Sequence, residues 1–313
     1  MSEKQVLFLD TVHPLVMKTL KEKGFDCIPC WEMEESEIVK ILPEAIGIVL
    51  RSRIRMDQGF LEKAKNLKWI ARSGVGMENI DEAYCASRGI QAFNAVGGNA
   101  DAVGEHVIGM LLALFNKIKS GDKAVREGNW DRESHRGIEL GHRKLGIIGF
   151  GHTGKSLAKK LKGFGTDIRA YDPYAPVQME GVKPASLEQI QAHCDVISFH
   201  VPLTEETHHY LSKEFIELMA SPFYLVNASR GPVASTEAIA YGIEKGKILG
   251  ACMDVLEEED HSLNLRPEKN PALQTLLKSD KTLFSPHVAG WSIESYENLA
   301  RVLLKRIFEV EGI

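Results

Sequence analysis

The chain has 313 residues, 44% hydrophobic and 26% charged, with a formal net charge of −5. This length predicts two domains of ordinary size, and the composition is that of a globular chain rather than a disordered or fibrous one. The acidic balance, with no basic block, argues against a nucleic-acid surface, and no apolar stretch suits a signal peptide or a membrane span, so a cytoplasmic location is expected.

The five cysteines form an odd, scattered set, as expected in a reducing compartment. Cys27-Ile28-Pro29-Cys30 has no second pair to complete a redox or zinc site, and Asp26–Pro29 reads as a short strand, so a structural role is expected.

From the N-terminus, strands alternate with helices. Strand 6–9, an amphipathic helix over 14–23 stopped by Gly24, strand 27–28, a helix over 33–42 with an acidic face and strand 46–50 come first. Helix 59–64, strand 69–71, a glycine turn at 72–76, helix 81–87 and strand 90–93 follow. This order predicts a mostly parallel sheet with helices on both faces. A hinge-like stretch at 95–99 leads into an apolar helix from Asp101 to about Ile118, whose apolar breadth points to a subunit interface and a homodimer. After a polar loop at 128–141, strands at 145–148, 168–171, 196–199, 224–226, 248–253 and 283–284 build a second doubly wound sheet. A surface loop is expected over 257–270, and a helix from 293 to about 308 closes the chain.

The sharpest motif follows strand 145–148. Gly149-Phe150-Gly151-His152-Thr153-Gly154 opens a helix, and strand 168–171 ends at Asp172. In such a βαβ unit the first glycine allows the tight turn, the second lets backbone approach a pyrophosphate, and the third lets helix and strand pack closely. The helix N-terminus favours the phosphates, and the acid is placed for a ribose hydroxyl. Gly149, Gly154, Lys155 and Ser156 also fit the phosphate loop of nucleotide triphosphatases, whose lysine reaches phosphates and whose serine holds magnesium. The middle glycine, the short turn and Asp172 favour the dinucleotide.

In open α/β sheets, ligands bind beyond the carboxyl ends of the strands. Three predicted strands end there in chemistry-bearing residues: Arg230, the acids from Asp254 to Glu259, and His287. An arginine suits the carboxylate of a 2-oxo acid, a histidine can protonate its carbonyl as a nicotinamide delivers hydride, and a carboxylate fixes the histidine tautomer. His208-His209 reads as exposed rather than as a metal pair; Trp69, Trp130 and Trp291 read as packing residues, Trp291 near enough to His287 to shape a pocket. No metal site is expected.

With these residues in view, the chain resembles the D-isomer-specific 2-hydroxyacid dehydrogenases over nearly its whole length. The likeness is carried by Arg51-Ser52, by Ser73-Gly74-Val75-Gly76-Met77-Glu78-Asn79-Ile80-Asp81, by Val103-Gly104-Glu105-His106 as an interface-helix signature, and by His200-Val201-Pro202-Leu203-Thr204. Asn227-Ala228-Ser229-Arg230-Gly231, the segment from Met253 to Glu259, and Ser285-Pro286-His287-Val288-Ala289-Gly290 complete it. The resemblance implies Arg230 as the substrate arginine, Glu259 as the orienting acid and His287 as the acid/base. Glu257 and Glu258 compete for the middle role; the family's spacing from Asp254 favours Glu259. It further implies cofactor contacts from Gly149, Gly151, His152, Thr153, Gly154, Asp172, His200, Val201, Pro202, Thr207, Ala228, Asp254 and His287, and substrate contacts from Arg51, Ser52, Val75, Gly76 and Arg230.

The implied fold is a Rossmann-type dinucleotide domain, 96–287, inserted into a flavodoxin-like substrate domain formed by 1–95 and 288–313. Two departures stand out: Asp260-His261 where relatives have proline after the acid, and Val96-Gly97 where they often have proline. Asp172, with no cation after it, favours NAD over NADP. Arg51, Arg53, Arg55 and Arg72, together with the likeness of Leu50-Arg51-Ser52-Arg53, favour 3-phosphoglycerate as substrate, with glyoxylate, hydroxypyruvate or another 2-oxo acid as the alternative. Ending at Ile313, the chain is expected to lack the regulatory extension of the longer phosphoglycerate enzymes. A non-catalytic NAD-sensing scaffold is the reading from another class, disfavoured by the intact Arg230, Glu259 and His287 set; Glu259 also disfavours formate dehydrogenase.

Overall fold

The computed structural model describes residues 4–259, 264–265 and 267–313. The departure at Asp260-His261 lies outside them. The chain divides into two compact units, the described residues up to Asn99 with Trp291–Ile313, and Ala100–Gly290.

The first unit alternates β1 (Lys4–Phe8), α1 (Pro14–Glu22), β2 (Phe25–Pro29), α2 (Glu35–Ile41), β3 (Gly47–Leu50), α3 (Gln58–Leu61), β4 (Trp69–Arg72), α4 (Glu82–Ser87) and β5 (Gln91–Asn94). All pairings are parallel, in the order β2-β1-β3-β4-β5, the flavodoxin-like winding. Fully buried strands such as β3 are legible as unbroken apolar runs because helices cover both faces.

The second unit begins with α5 (Ala100–Phe115) and α6 (Ile118–Arg126). Its sheet elements are β6 (Lys144–Ile148), α7 (His152–Leu161), β7 (Asp167–Tyr171), β8 (Val182–Pro184), α8 (Leu187–His193), β9 (Val196–Phe199), α9 (Lys213–Leu218), β10 (Phe223–Asn227), α10 (Thr236–Glu244), β11 (Ile248–Met253), α11 (Pro271–Lys278) and β12 (Thr282–Phe284). The strands are parallel in the order β12-β11-β10-β9-β6-β7-β8, so the winding reverses between β6 and β9, the Rossmann switch point. On one face α5 and α7 bury Val107, Leu111 and Leu157 against β6; on the other, Ile190, Phe215 and Ile239 pack beneath the sheet.

The last helix, α12 (Ile293–Glu311), belongs to the first unit, where Leu299, Leu303 and Ile307 pack with Val6, Phe8 and Trp69. Glu311 receives the Trp69 Nε1–H at 2.8 Å and Lys4 Nζ at 3.2 Å.

The unit boundaries fall at 99/100 and 290/291, against 95/96 and 287/288 read from the sequence. Gly98 lies so close to α12 that a Cβ there would meet Leu299 Cα at 2.9 Å, which keeps 96–99 with the first unit. Val288 and Ala289 donate their N–H groups to Asp254, which keeps them in the second.

The helix expected from Asp101 to about Ile118 ends at Phe115, and a second helix begins at Ile118. Lys117 takes φ 50°, its Nζ donates to Ser134 O at 2.6 Å, and Ile138 N–H takes the Phe115 carbonyl at 3.1 Å. The crossing segment 134–138 thus ends α5 by tertiary contact. Most of the apolar residues of α5, Val103, Val107, Met110, Leu111 and Phe115 among them, are buried within its own unit, so its breadth alone is no evidence for an interface.

All five cysteines are free and buried, and burial raises the Cys27 thiol to about 11, as a packing role requires. Trp130, expected to pack, is 80% exposed. Among the described residues no helix is long and apolar enough to cross a membrane, and no cluster of three or more His, Cys, Asp or Glu could hold a metal.

Candidate active site

Residues 149–151 alone join β6 to α7. Gly149 sits at φ +91°, and a Cβ on it would meet the His200 carbonyl oxygen at 2.6 Å, so this turn admits glycine only. Gly151 caps α7 without a side-chain acceptor, and a Cβ on it would meet nothing within 4 Å. The first-turn N–H groups follow directly on this open glycine, an arrangement that suits a pyrophosphate. Gly154 lies inside the helix, where a Cβ would meet Gly149 O at 2.3 Å.

Asp172 closes the cradle. Its Oδ2 accepts the Phe150 N–H at 2.8 Å, and its Oδ1 accepts those of Tyr174 at 2.9 Å and Ala175 at 3.1 Å. Oδ2, with one donor, keeps a lone pair for a ribose hydroxyl. The phosphate-loop alternative does not fit, because Ser156 is buried and its Oγ donates to Asp101 at 2.8 Å instead of facing a metal.

His200 and Thr207, expected near the cofactor, have their side chains engaged within the protein. The Thr207 hydroxyl donates to Pro202 O at 2.6 Å and ties its loop together. His200 bridges Ser198 Oγ at 2.9 Å and Thr153 Oγ at 3.1 Å, and burial lowers its pKa from 6.5 to about 4. A depressed histidine stabilises the fold fully above its unfolded pKa and loses that stability as pH falls through its folded one. Chemical denaturation is therefore expected to reveal a loss of up to about 3 kcal/mol between pH 6.5 and 4 that His200→Gln removes; equal pH slopes in both proteins would contradict it.

The reacting groups come from three adjacent strands. Asn227 pairs with Met253 and Met253 with Phe284, so β10, β11 and β12 end at one level. Beyond β10, Asn227 Oδ1 accepts from Ser229 N at 3.1 Å and Oγ at 2.8 Å, while its Nδ2 donates to Arg230 O at 2.9 Å. This local turn sets the backbone of Arg230, whose half-buried guanidinium donates to Ser229 O at 2.7 Å.

Beyond β11, Asp254 is 2% exposed. It accepts from Ser285 Oγ at 2.6 Å, Val288 N at 2.9 Å and Ala289 N at 2.8 Å, and so moulds the loop after β12 around one buried carboxylate. His106, read as part of an interface signature, reaches Ser285 Oγ at 2.8 Å and supports the same loop.

His287 is carried in this loop at φ 54°, a conformation uncommon for a residue with a Cβ and characteristic of functional sites. Its Nδ1 lies 2.8 Å from Glu259 Oε2, and Glu259 Oε1 accepts the Leu256 N–H at 2.6 Å. The two neighbouring glutamates have other partners. Glu257 bonds His209 and the Thr236 N–H, and Glu258 bonds Thr236 Oγ and Asn270. Burial raises the Glu258 pKa, with the Glu257 charge adding to it.

The expected substrate residues Arg51, Ser52, Val75 and Gly76 lie in the first unit. Arg51 N–H donates to Asp10 Oδ2 at 2.6 Å, and its guanidinium stacks 4.5 Å over Trp291. Arg53 is a structural residue, its guanidinium donating to the Leu9, Met33 and Cys30 carbonyls. Asn79 joins these loops, accepting from Arg72 Nε at 3.0 Å and donating to Arg51 O and Ile54 O at 3.2 Å. Sequence reading noticed Asn79 only as part of a motif, since a side-chain-to-carbonyl tie leaves no periodic signal.

A glycine cradle at a Rossmann switch point, with a carboxylate-backed histidine beyond neighbouring strand ends, defines a nicotinamide-dependent oxidoreductase site. Residues 108–289 match the family model for the D-isomer specific 2-hydroxyacid dehydrogenase NAD binding domain, and the chain belongs to that family. It is similar to the D-3-phosphoglycerate dehydrogenase of Archaeoglobus fulgidus, 34% identical over 306 residues covering 97% of this chain and 56% of that protein. It is also 34% identical over 281 residues to the hydroxypyruvate reductase of Thermotoga maritima, covering 90% of each. A solved D-lactate dehydrogenase of Aquifex aeolicus, complexed with NAD and lactic acid, superposes with a TM-score of 0.83 at 28% identity, covering 98% of this chain and 96% of that one. The chain spans little more than half the length of the archaeal phosphoglycerate relatives it matches, 56% and 57%.

Proposed function

We propose that the protein interconverts a D-2-hydroxy acid and its 2-oxo acid with NAD, and that 3-phosphoglycerate and 3-phosphohydroxypyruvate are the preferred pair. The observation that carries the reaction class is the 2.8 Å contact between Glu259 and His287 Nδ1, which leaves Nε2 as the nitrogen for substrate. NAD, when bound, supplies or accepts the hydride at C2. In reduction, His287 Nε2 donates a proton to the carbonyl oxygen, and Glu259 stabilises the imidazolium before transfer. Arg230 holds the substrate carboxylate through paired N–H donors. The backbone N–H groups of Val75 and Gly76, which donate to no acceptor among the described residues, are proposed as further carboxylate donors.

Phosphate preference rests on Arg51, whose stacking on Trp291 pre-orders its guanidinium, and on the phosphoglycerate relatives. An unphosphorylated 2-oxo acid is the second reading, favoured because Arg53 is tied to backbone carbonyls and leaves the arginine cluster. Steady-state kcat/KM with 3-phosphohydroxypyruvate, hydroxypyruvate, glyoxylate, pyruvate and 2-oxoglutarate decides between them. Preference for the phosphorylated acid is expected; a hydroxypyruvate or glyoxylate preference would replace it with the second reading. In the same assay NADH should outperform NADPH, since Asp172 repels a 2′-phosphate; equal kcat/KM would contradict the cofactor preference.

The homodimer remains a proposal, now supported by the uncovered apolar residues Ile118, Val125 and Trp130, which are 57%, 52% and 80% exposed. Light scattering should give twice the chain mass, and a monomer would refute it.

A further inference from the structure

Two histidine–carboxylate pairs share one short loop. Glu259 meets His287, and two residues earlier Glu257 meets His209 Nε2 through Oε1 while its Oε2 accepts the Thr236 N–H at 2.7 Å. We propose that His209 is a positioning residue for the reaction at His287: through Glu257 it holds loop 256–259 in the register that delivers Glu259 to His287 Nδ1. This rests on the acid/base reading of Glu259 and His287.

The contact anchors a loop that Thr236 and Asn270 also hold through Glu257 and Glu258. The loop is pressed onto Gly231, where a Cβ would meet Leu256 O at 2.0 Å. It is also tied to His209, which in turn is held by segment 232–235. The His209 N–H donates to Pro232 O at 2.7 Å, Leu211 N–H to Val233 O at 3.0 Å, and Ser235 N–H to Leu211 O at 3.2 Å. The imidazole is oriented by stacking on His208, with centroids 4.0 Å apart and planes at 29°.

The pair read from the sequence as exposed has its two rings stacked. They converge because His209 adopts φ 52°. A left-handed conformation is disfavoured for a residue with a Cβ, and glycine would occupy it freely. A histidine held there against its backbone preference is explained by what its side chain does. Glu257 and Glu258 lie side by side on this loop, and His209 gives Glu257 the donor that the crowded carboxylates need.

The test is a double-mutant cycle in NADH-dependent 2-oxo acid reduction with wild type, His209→Gly, Glu259→Gln and the double variant. Glycine accepts φ 52°, so the backbone is retained and only the imidazole is lost. His209→Gly is expected to lower kcat about tenfold with KM unchanged. It should move the pH limb of kcat toward acid, in the same direction as Glu259→Gln. The double variant should be no slower than Glu259→Gln alone, because the two act through one contact.

Wild-type kcat and pH profile in His209→Gly, or losses that multiply in the double variant, would overturn the proposal. Should His209→Gly fail to fold by circular dichroism, Glu257→Ala carries the same test from the other partner, with the same expected limb shift. If Glu259→Gln itself changes neither kcat nor the profile, the acid/base reading fails, and the role of His209 falls with it.

Discussion

His287→Ala is expected to lower kcat for 2-oxo acid reduction more than ~100-fold while NADH still binds, the usual scale for losing a general acid. The size of the effect follows from geometry. One ring nitrogen is held by Glu259 at 2.8 Å, so both tautomer and ring direction are set before substrate arrives. The backbone at φ 54° is fixed by Asp254, which accepts from Ser285, Val288 and Ala289 around it. Alanine removes the proton donor and leaves this frame intact. Arg230→Ala should lower kcat/KM on the same scale, by loss of a paired carboxylate contact. Full activity in either variant would refute its role.

Gly231→Ala is expected to have an effect of comparable size. The added methyl would meet the Leu256 carbonyl oxygen at 2.0 Å and its carbon at 2.2 Å, both backbone atoms that no rotamer change can move aside. Either the loop carrying Glu259 shifts or the turn carrying Arg230 does, and a displacement of about 1 Å at reacting groups can cost about 100-fold. Overpacking of this kind also destabilises by about 1–3 kcal/mol. Kinetics at a temperature where circular dichroism shows the variant folded checks the prediction; wild-type kcat/KM there would mean that the loop position does not matter to the reaction.

Much of the fold was legible because parallel strands covered on both faces read as apolar runs. Val196–Phe199 and Ile248–Met253 are strands with the bounds read from the sequence. The edge strand Val182–Pro184 was missed: it has three residues and only Val182 is buried. Helix Ile118–Arg126 was missed although it is amphipathic, because it is short and buries nothing within its own unit. The break at Lys117 comes from the distant segment 134–138, which no local pattern announces.

The site was legible in residue types and less so in partners. Three consecutive glutamates have the same side chain, and only the third dimension gives Glu257 to His209, Glu258 to Asn270 and Glu259 to His287. The link from His106 to Ser285 and the left-handed backbone of His209 were equally silent, one a contact between remote segments and the other a glycine-like conformation in a residue that is not glycine.

The most direct test of the account is whether the purified protein consumes NADH in the presence of 2-oxo acids, with the configuration of the product determined. Stoichiometric formation of a D-2-hydroxy acid that depends on His287 is expected. NADH that binds, as read by protein fluorescence, yet is consumed with no acid of the panel would contradict it and leave the chain a dinucleotide-binding scaffold.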